Sequence, residues 1–251
     1  MTPDPTLAAL VAGLVAAVLG LLIPRVIAAL PEPDPDPEDE SEPQSETDSG
    51  TESEPAKISY VELAARPHLA ATCALVAGLL AAVLGASRGW RPDLPVWIYL
   101  SVLGVTLGYV DWRIRLLPAR LIIPSYGVVA GLLAIASAVD WADGGRDALI
   151  RSGISWLIVF AIFFALWFVY PRGLGYGDVR LSGILGMALG WLSTGAVVLG
   201  MYAGFLLGAV IGGVLALARV VDRKGYPFGP FMLIGTVLGV LYHDGHLFFW
   251  T

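Results

Sequence analysis

The stretch Arg172-Gly173-Leu174-Gly175-Tyr176-Gly177-Asp178-Val179-Arg180-Leu181 sets an ionisable residue between two apolar runs, roughly 151 to 170 and 181 to 194. A hydrocarbon layer about 30 Å thick is crossed by about 20 apolar residues in a helix, so runs of this kind read as membrane spans. A carboxylate at membrane depth costs a few kcal/mol or more unless it is paired or lines a wet cavity. Asp178 is therefore a candidate functional residue, and the first question is whether it has a partner.

Composition extends the reading to the whole chain. Of 251 residues, 57% are apolar and 14% charged, with a mean hydropathy of +0.74. That is outside the range of soluble domains and predicts an all-α polytopic transmembrane helix bundle. The runs are too long and uniform for the alternating pattern of barrel strands. About eight spans are expected, near 7–29, 67–86, 95–110, 120–139, 151–170, 181–194, 196–218 and 229–242. The single cysteine, Cys73, excludes an internal disulfide and a cysteine zinc site. Nothing in the charge pattern points to nucleic acid.

The formal charge of −6 has a local origin, since 11 of the 21 acidic residues lie between Glu32 and Glu54, a stretch without Lys or Arg. Without it the remaining 10 acidic residues face 15 basic ones. Its prolines, glutamates, aspartates and serines cannot bury enough apolar surface to offset chain entropy, so a disordered tether is expected over 31–57. The expected organisation is an N-terminal span over 1–30, this acidic linker, and a transmembrane core over 58–251. The first span has no basic residue before its apolar core, so it does not read as a cleaved signal peptide.

Basic residues predict the orientation. With the N-terminus outside, Arg25, Lys57, Arg66, Arg113, Arg115, Arg120, Arg172, Arg180, Arg219, Arg223 and Lys224 fall on the cytoplasmic side, and Arg88, Arg91, Arg146 and Arg151 on the other. This topology places a second aspartate, Asp111, on the same side as Asp178. From Pro95 to Asp111 is about 24 Å of helix and from Gly195 back to Asp178 about 25 Å, so both carboxylates are expected just inside the same boundary. Asp111 taken alone also reads as a helix end paired with Arg113 or Arg115.

Two carboxylates within a few ångströms of each other do not both ionise cheaply. One acts as base toward water while the other, protonated, donates to a peptide carbonyl. Gly175 and Gly177 lack Cβ and leave the backbone beside Asp178 free to admit a substrate strand, or they simply break one helix before the next. Pro227 to Pro230 reads as the break that starts the last span, and its backbone is a candidate substrate guide. Gly200, Gly204, Gly208 and Gly212 form a smooth ridge expected to meet Gly186 and Gly190 of the preceding span. His243 and His246 read as a solvated tail and Asp140, Asp143 and Asp147 as a solvent-facing loop, so no metal is expected.

Taken in order, Ile58-Ser-Tyr-Val-Glu-Leu63, Tyr109-Val-Asp111-Trp-Arg113, Leu117-Pro118, Ile123-Pro124, Gly175-Tyr-Gly177-Asp178-Val-Arg180-Leu181 and Pro227-Phe-Gly229-Pro230 resemble the prepilin peptidases, or type IV leader peptidases. The resemblance covers about 58–240. It implies an aspartic endopeptidase of the Gly-x-Gly-Asp type in the bacterial cytoplasmic membrane, which removes the short basic leader of prepilins or pseudopilins on the cytoplasmic side. The family's catalytic aspartates fall on Asp111 and Asp178 and its glycine motif on Gly175 and Gly177. Arg180 stands where the family usually has lysine, which keeps the charge and changes its geometry. Many members carry paired Cys-x-x-Cys motifs between the first two spans and also N-methylate the product with S-adenosylmethionine. Here the acidic stretch occupies that place, so cleavage without methylation and without a cofactor is expected. The competing class is a proton-coupled transporter, which would use intramembrane carboxylates as a relay and predicts two related halves with paired broken helices; no such repeat is evident.

Overall fold

A computed structural model describes residues 4–31, 59–171, 173–217 and 227–245, with the backbone alone over 212–217. The acidic segment, Arg172, Arg219, Arg223, Lys224 and His246 lie outside the described residues. The elements are α1 (Pro5–Gly20), α2 (Ile23–Ala28), α3 (Tyr60–Ala64), α4 (Leu69–Arg88), α5 (Leu94–Ile114), α6 (Ala119–Val139), α7 (Gly145–Val169), α8 (Tyr176–Leu192), α9 (Thr194–Leu217) and α10 (Gly229–His243). The expected all-α membrane bundle is what forms. Among the described residues, six helical segments are long and apolar enough to cross a membrane, counting α1 and α2 as one; α8 with 17 residues and α10 with 15 are shorter.

Small residues decide which helices touch. In α1, Ala8, Ala12, Ala16 and Gly20 recur every fourth position and are buried, while Leu7, Leu10 and Leu14 point outward. That buried stripe packs along α4: a Cβ on Gly20 would lie 2.7 Å from Ala74 Cα, and one on Gly85 would lie 2.9 Å from Ala12 Cβ. Close backbone approach through small residues is how helices gain van der Waals contact where lipid competes for every apolar surface.

The α9 ridge finds a different partner from the one expected. Gly200 and Gly204 pack on α10, where a Cβ on Gly204 would lie 3.1 Å from Met232 Cα and Gly200 lies against Gly235 and Gly239. Gly186 and Gly190 of α8 instead receive Val159 and Ser155 of α7. The physical reason is that α8 is enclosed all round, with Leu181 to Leu192 buried without exception, so each of its faces takes a separate neighbour. Side-chain bonds reinforce these contacts: Ser152 Oγ donates to the Met187 carbonyl at 2.7 Å, and Tyr126 Oη to the Arg180 carbonyl at 2.6 Å.

One end of the bundle is locked by charge. Arg88, only 4% exposed, donates from Nε and Nη2 to Asp93 at 3.1 and 3.0 Å and from Nη1 to Asp244 Oδ1 at 2.6 Å. Trp97 Nε1 donates to Asp93 at 2.7 Å and Ser87 Oγ to Asp244 at 2.6 Å. This set ties the ends of α4 and α10 to the start of α5. Nearby, Arg151 donates to the carbonyls of Gly190, Trp191 and Leu192 at 2.6 to 3.1 Å, satisfying the open C-terminus of α8 and complementing its dipole. Arg88 and Arg151 therefore act within the fold, beyond their reading as outer-loop charges. His243 is likewise half-buried, with Nδ1 3.2 Å from Ser193 Oγ, rather than part of a solvated tail.

Candidate active site

At the opposite end, the last turn of α5 and the first turn of α8 converge and bring the two expected aspartates together. Asp111 is 5% and Asp178 7% exposed, and the two carboxylates lie within electrostatic reach of each other. Each is held through one oxygen by a backbone amide. Asp111 Oδ2 accepts from Gly229 N at 3.0 Å, and Asp178 Oδ2 from Gly175 N at 3.2 Å.

The Gly229 contact shows why the chain breaks before α10. Pro230 in the first turn has no N–H to lose there and its ring presets the helical φ. The first amides of the helix have no intrahelical acceptor, and the positive end of the dipole faces the carboxylate. A Cβ on Gly229 would stand 2.8 Å from Asp111 Oδ2. Glycine is required for that approach. The Pro227–Pro230 segment was expected to start a span, and α10 does begin at Gly229; in addition the Gly229 amide seats Asp111.

Asp178 occupies the third position of α8, where a carboxylate reaches back to the amide of the N-cap, here Gly175. Its Oδ2 is used in this way, but Oδ1 is buried and has no hydrogen-bond partner among the described residues. Buried polar atoms are nearly always satisfied, so one left open marks an oxygen available to something else. Gly177 serves the packing: a Cβ there would lie 2.6 Å from Leu117 Cβ. Leu117 also stands 3.6 Å from the Cβ position of Gly229. One side chain thus wedges between the supports of both aspartates.

Arg180 extends its guanidinium over the Tyr176 ring, 4.5 Å from the centroid, a cation–π contact within the motif. Tyr176 in turn packs against Trp167 at 4.9 Å. Leu117 entered the sequence reading only as part of the Leu117-Pro118 pair, with no role assigned to it, and Tyr126 did not enter it. Tyr126 carried no local signal. It reaches the Arg180 carbonyl over Gly183, whose missing Cβ leaves room for the phenol. No group of three or more His, Cys, Asp or Glu suited to a metal occurs among the described residues.

These features coincide with a known family. Residues 97–217 match the model of the type IV leader peptidase family, a span that contains both aspartates. The chain is 28% identical over 178 residues to the prepilin leader peptidase/N-methyltransferase of Bacillus subtilis (strain 168), covering 70% of this chain and 67% of that one. It is 25% identical over 173 residues to the protein of the same name from Escherichia coli (strain K12), covering 68% and 74%. The Pseudomonas putida counterpart is 30% identical over 182 residues, covering 71% of this chain and 59% of the relative. No solved structure matches. Over residues 97–217, therefore, the chain matches the type IV leader peptidase family.

Proposed function

We propose that the protein is an aspartic endopeptidase that removes the leader of type IV prepilins or pseudopilins at the cytoplasmic face of the bacterial inner membrane, with Asp111 and Asp178 as its catalytic pair. The observation that carries this reading is the paired arrangement itself. Each aspartate keeps one oxygen bonded to a glycine amide, which fixes the carboxylate planes, and Asp178 leaves its second oxygen open. A water between the two carboxylates loses a proton to one as it attacks the scissile carbonyl. The other, protonated, donates to the carbonyl oxygen, and the pair reverses roles as the tetrahedral intermediate breaks toward the amine.

Substrate class is supported by the relatives' names, each a prepilin leader peptidase. The cytoplasmic placement and the outside N-terminus are supported by the excess of basic residues on the aspartate side of the predicted topology. Cleavage without methylation is our reading of the acidic segment between the first two spans and of the single cysteine. Gly175, Gly177, Gly229 and Pro230 position the pair, and Arg180 is a cation at its rim.

Co-expression with a prepilin, followed by mass spectrometry of the pilin N-terminus, tests all of this together. Leader loss with wild type, none with Asp111→Asn or Asp178→Asn, and an unmodified new N-terminus are expected. Residual processing by the Asp178→Asn protein at a substantial fraction of wild type would remove the aspartic assignment.

A further inference from the structure

Helices α4, α5 and α10 do not close on one another along their full length. Between them runs a lateral groove of about 460 Å³, a volume typical of small-ligand sites. Gly104 and Gly108 of α5 keep its wall low, since a Cβ on either would meet only Leu233 of α10, at 3.2 and 3.6 Å. From Leu69 to Leu84, α4 borders the groove for about 22 Å, most of the way across a hydrocarbon layer of about 30 Å.

The groove is apolar along its length and charged at one end. Arg66, between α3 and α4, and Arg113, in the last turn of α5, both line it. Arg113 rests over the Tyr109 ring, 5.7 Å from the centroid. Neither guanidinium forms a salt bridge among the described residues; the ion pairs there belong to Arg88 and Arg91. Two unpaired arginines at the mouth of a long apolar channel are complementary to an amphiphile with an anionic head.

We propose that this groove binds one anionic glycerophospholipid, with an acyl chain between α4, α5 and α10 and its phosphate on Arg66 and Arg113. Charge decides for an anionic head, because guanidinium forks bind phosphate through paired hydrogen bonds. Pro230 lines the same groove and follows the glycine that holds Asp111, so the bound lipid borders the reactive end of the bundle.

Native mass spectrometry of the full chain, released from micelles containing equal phosphatidylglycerol and phosphatidylcholine, reads the binding directly. Retention of one phosphatidylglycerol, preferred by about tenfold or more, is expected from two arginines near a membrane surface. Arg66→Gln with Arg113→Gln, at half-exposed and exposed positions, brings the ratio to about one. Gly108→Leu fills the groove and lowers retention of both lipids. Equal retention of the two lipids by wild type, or a preference that survives in the double arginine variant, overturns the proposal. So does an apolar helical peptide that displaces the lipid, which would make the groove a substrate-helix site.

Discussion

Gly229 donates its backbone N–H to Asp111 Oδ2 at 3.0 Å across 118 residues of sequence. The bond joins the last turn of one helix to the first turn of another and makes the position of a carboxylate depend on a residue with no side chain. A carboxylate held in this manner is sensitive to the addition of a single methyl group.

Gly229→Ala places Cβ 2.8 Å from Asp111 Oδ2, so either the carboxylate or α10 must shift. Misplacement by about 1 Å costs on the order of 100-fold in rate, and prepilin processing is expected to fall by about 10- to 100-fold with the protein still present in membranes. Quantitative immunoblotting of processed and unprocessed pilin measures it; wild-type processing would show that the amide contact does not position Asp111.

Gly177→Ala acts through Leu117, whose Cβ would be 2.6 Å from the new methyl. Processing is expected to drop about tenfold or more, and Leu117→Gly in the same chain to recover part of it, since the clash is with that Cβ. The recovery is a coupling between contacting residues that separate substitutions at unrelated sites do not show. Additive losses in the double variant would contradict the wedge.

Asp178→Asn separates function from stability. The wild-type carboxylate buries an oxygen with no partner, a cost of about 1–3 kcal/mol, and asparagine brings no charge. Processing is expected to fall by about three orders of magnitude or more while the thermal midpoint stays at or above wild type. A thiol-reactive dye reads unfolding through Cys73, the chain's one cysteine, which is buried when folded. A lowered midpoint would mean that activity is lost by unfolding.

Arg88→Ala removes the cation shared by Asp93 and Asp244. Leaving Asp93 buried without a cation, and Asp244 with only the distant Arg91 at 3.9 Å, is expected to destabilise the bundle by about 3–5 kcal/mol, visible as a large drop in the same dye-monitored midpoint. A small change, comparable to that of an exposed surface arginine, would show that water replaces the guanidinium.

Helix positions were legible because a span announces itself locally: the run expected at 95–110 is Leu94–Ile114, and that at 120–139 is Ala119–Val139. The aspartates were legible as well, since a lone carboxylate among apolar residues is conspicuous. Pairings were not. The glycine ridge of α9 matches Gly186 and Gly190 as well on paper as it matches Gly235 and Gly239, and only the enclosure of α8 sends it to α10. Arg88 looked like an outer-loop charge because its partner Asp244 lies 156 residues away. Gly229 looked like a helix break because its amide acquires a role only once α5 and α10 meet.

The Arg88 lock and the Gly229 bond sit at opposite ends of α10, 15 residues apart at about 1.5 Å each. The helix is thus a lever of about 22 Å with its fulcrum at the ion pair and its free arm at the carboxylate. A tilt of only about 3° about that fulcrum displaces the Gly229 amide by about 1 Å, enough to carry a 3.0 Å contact beyond hydrogen-bonding range. The alignment of the Asp111 carboxylate is accordingly set, in mechanical terms, from the far end of the bundle.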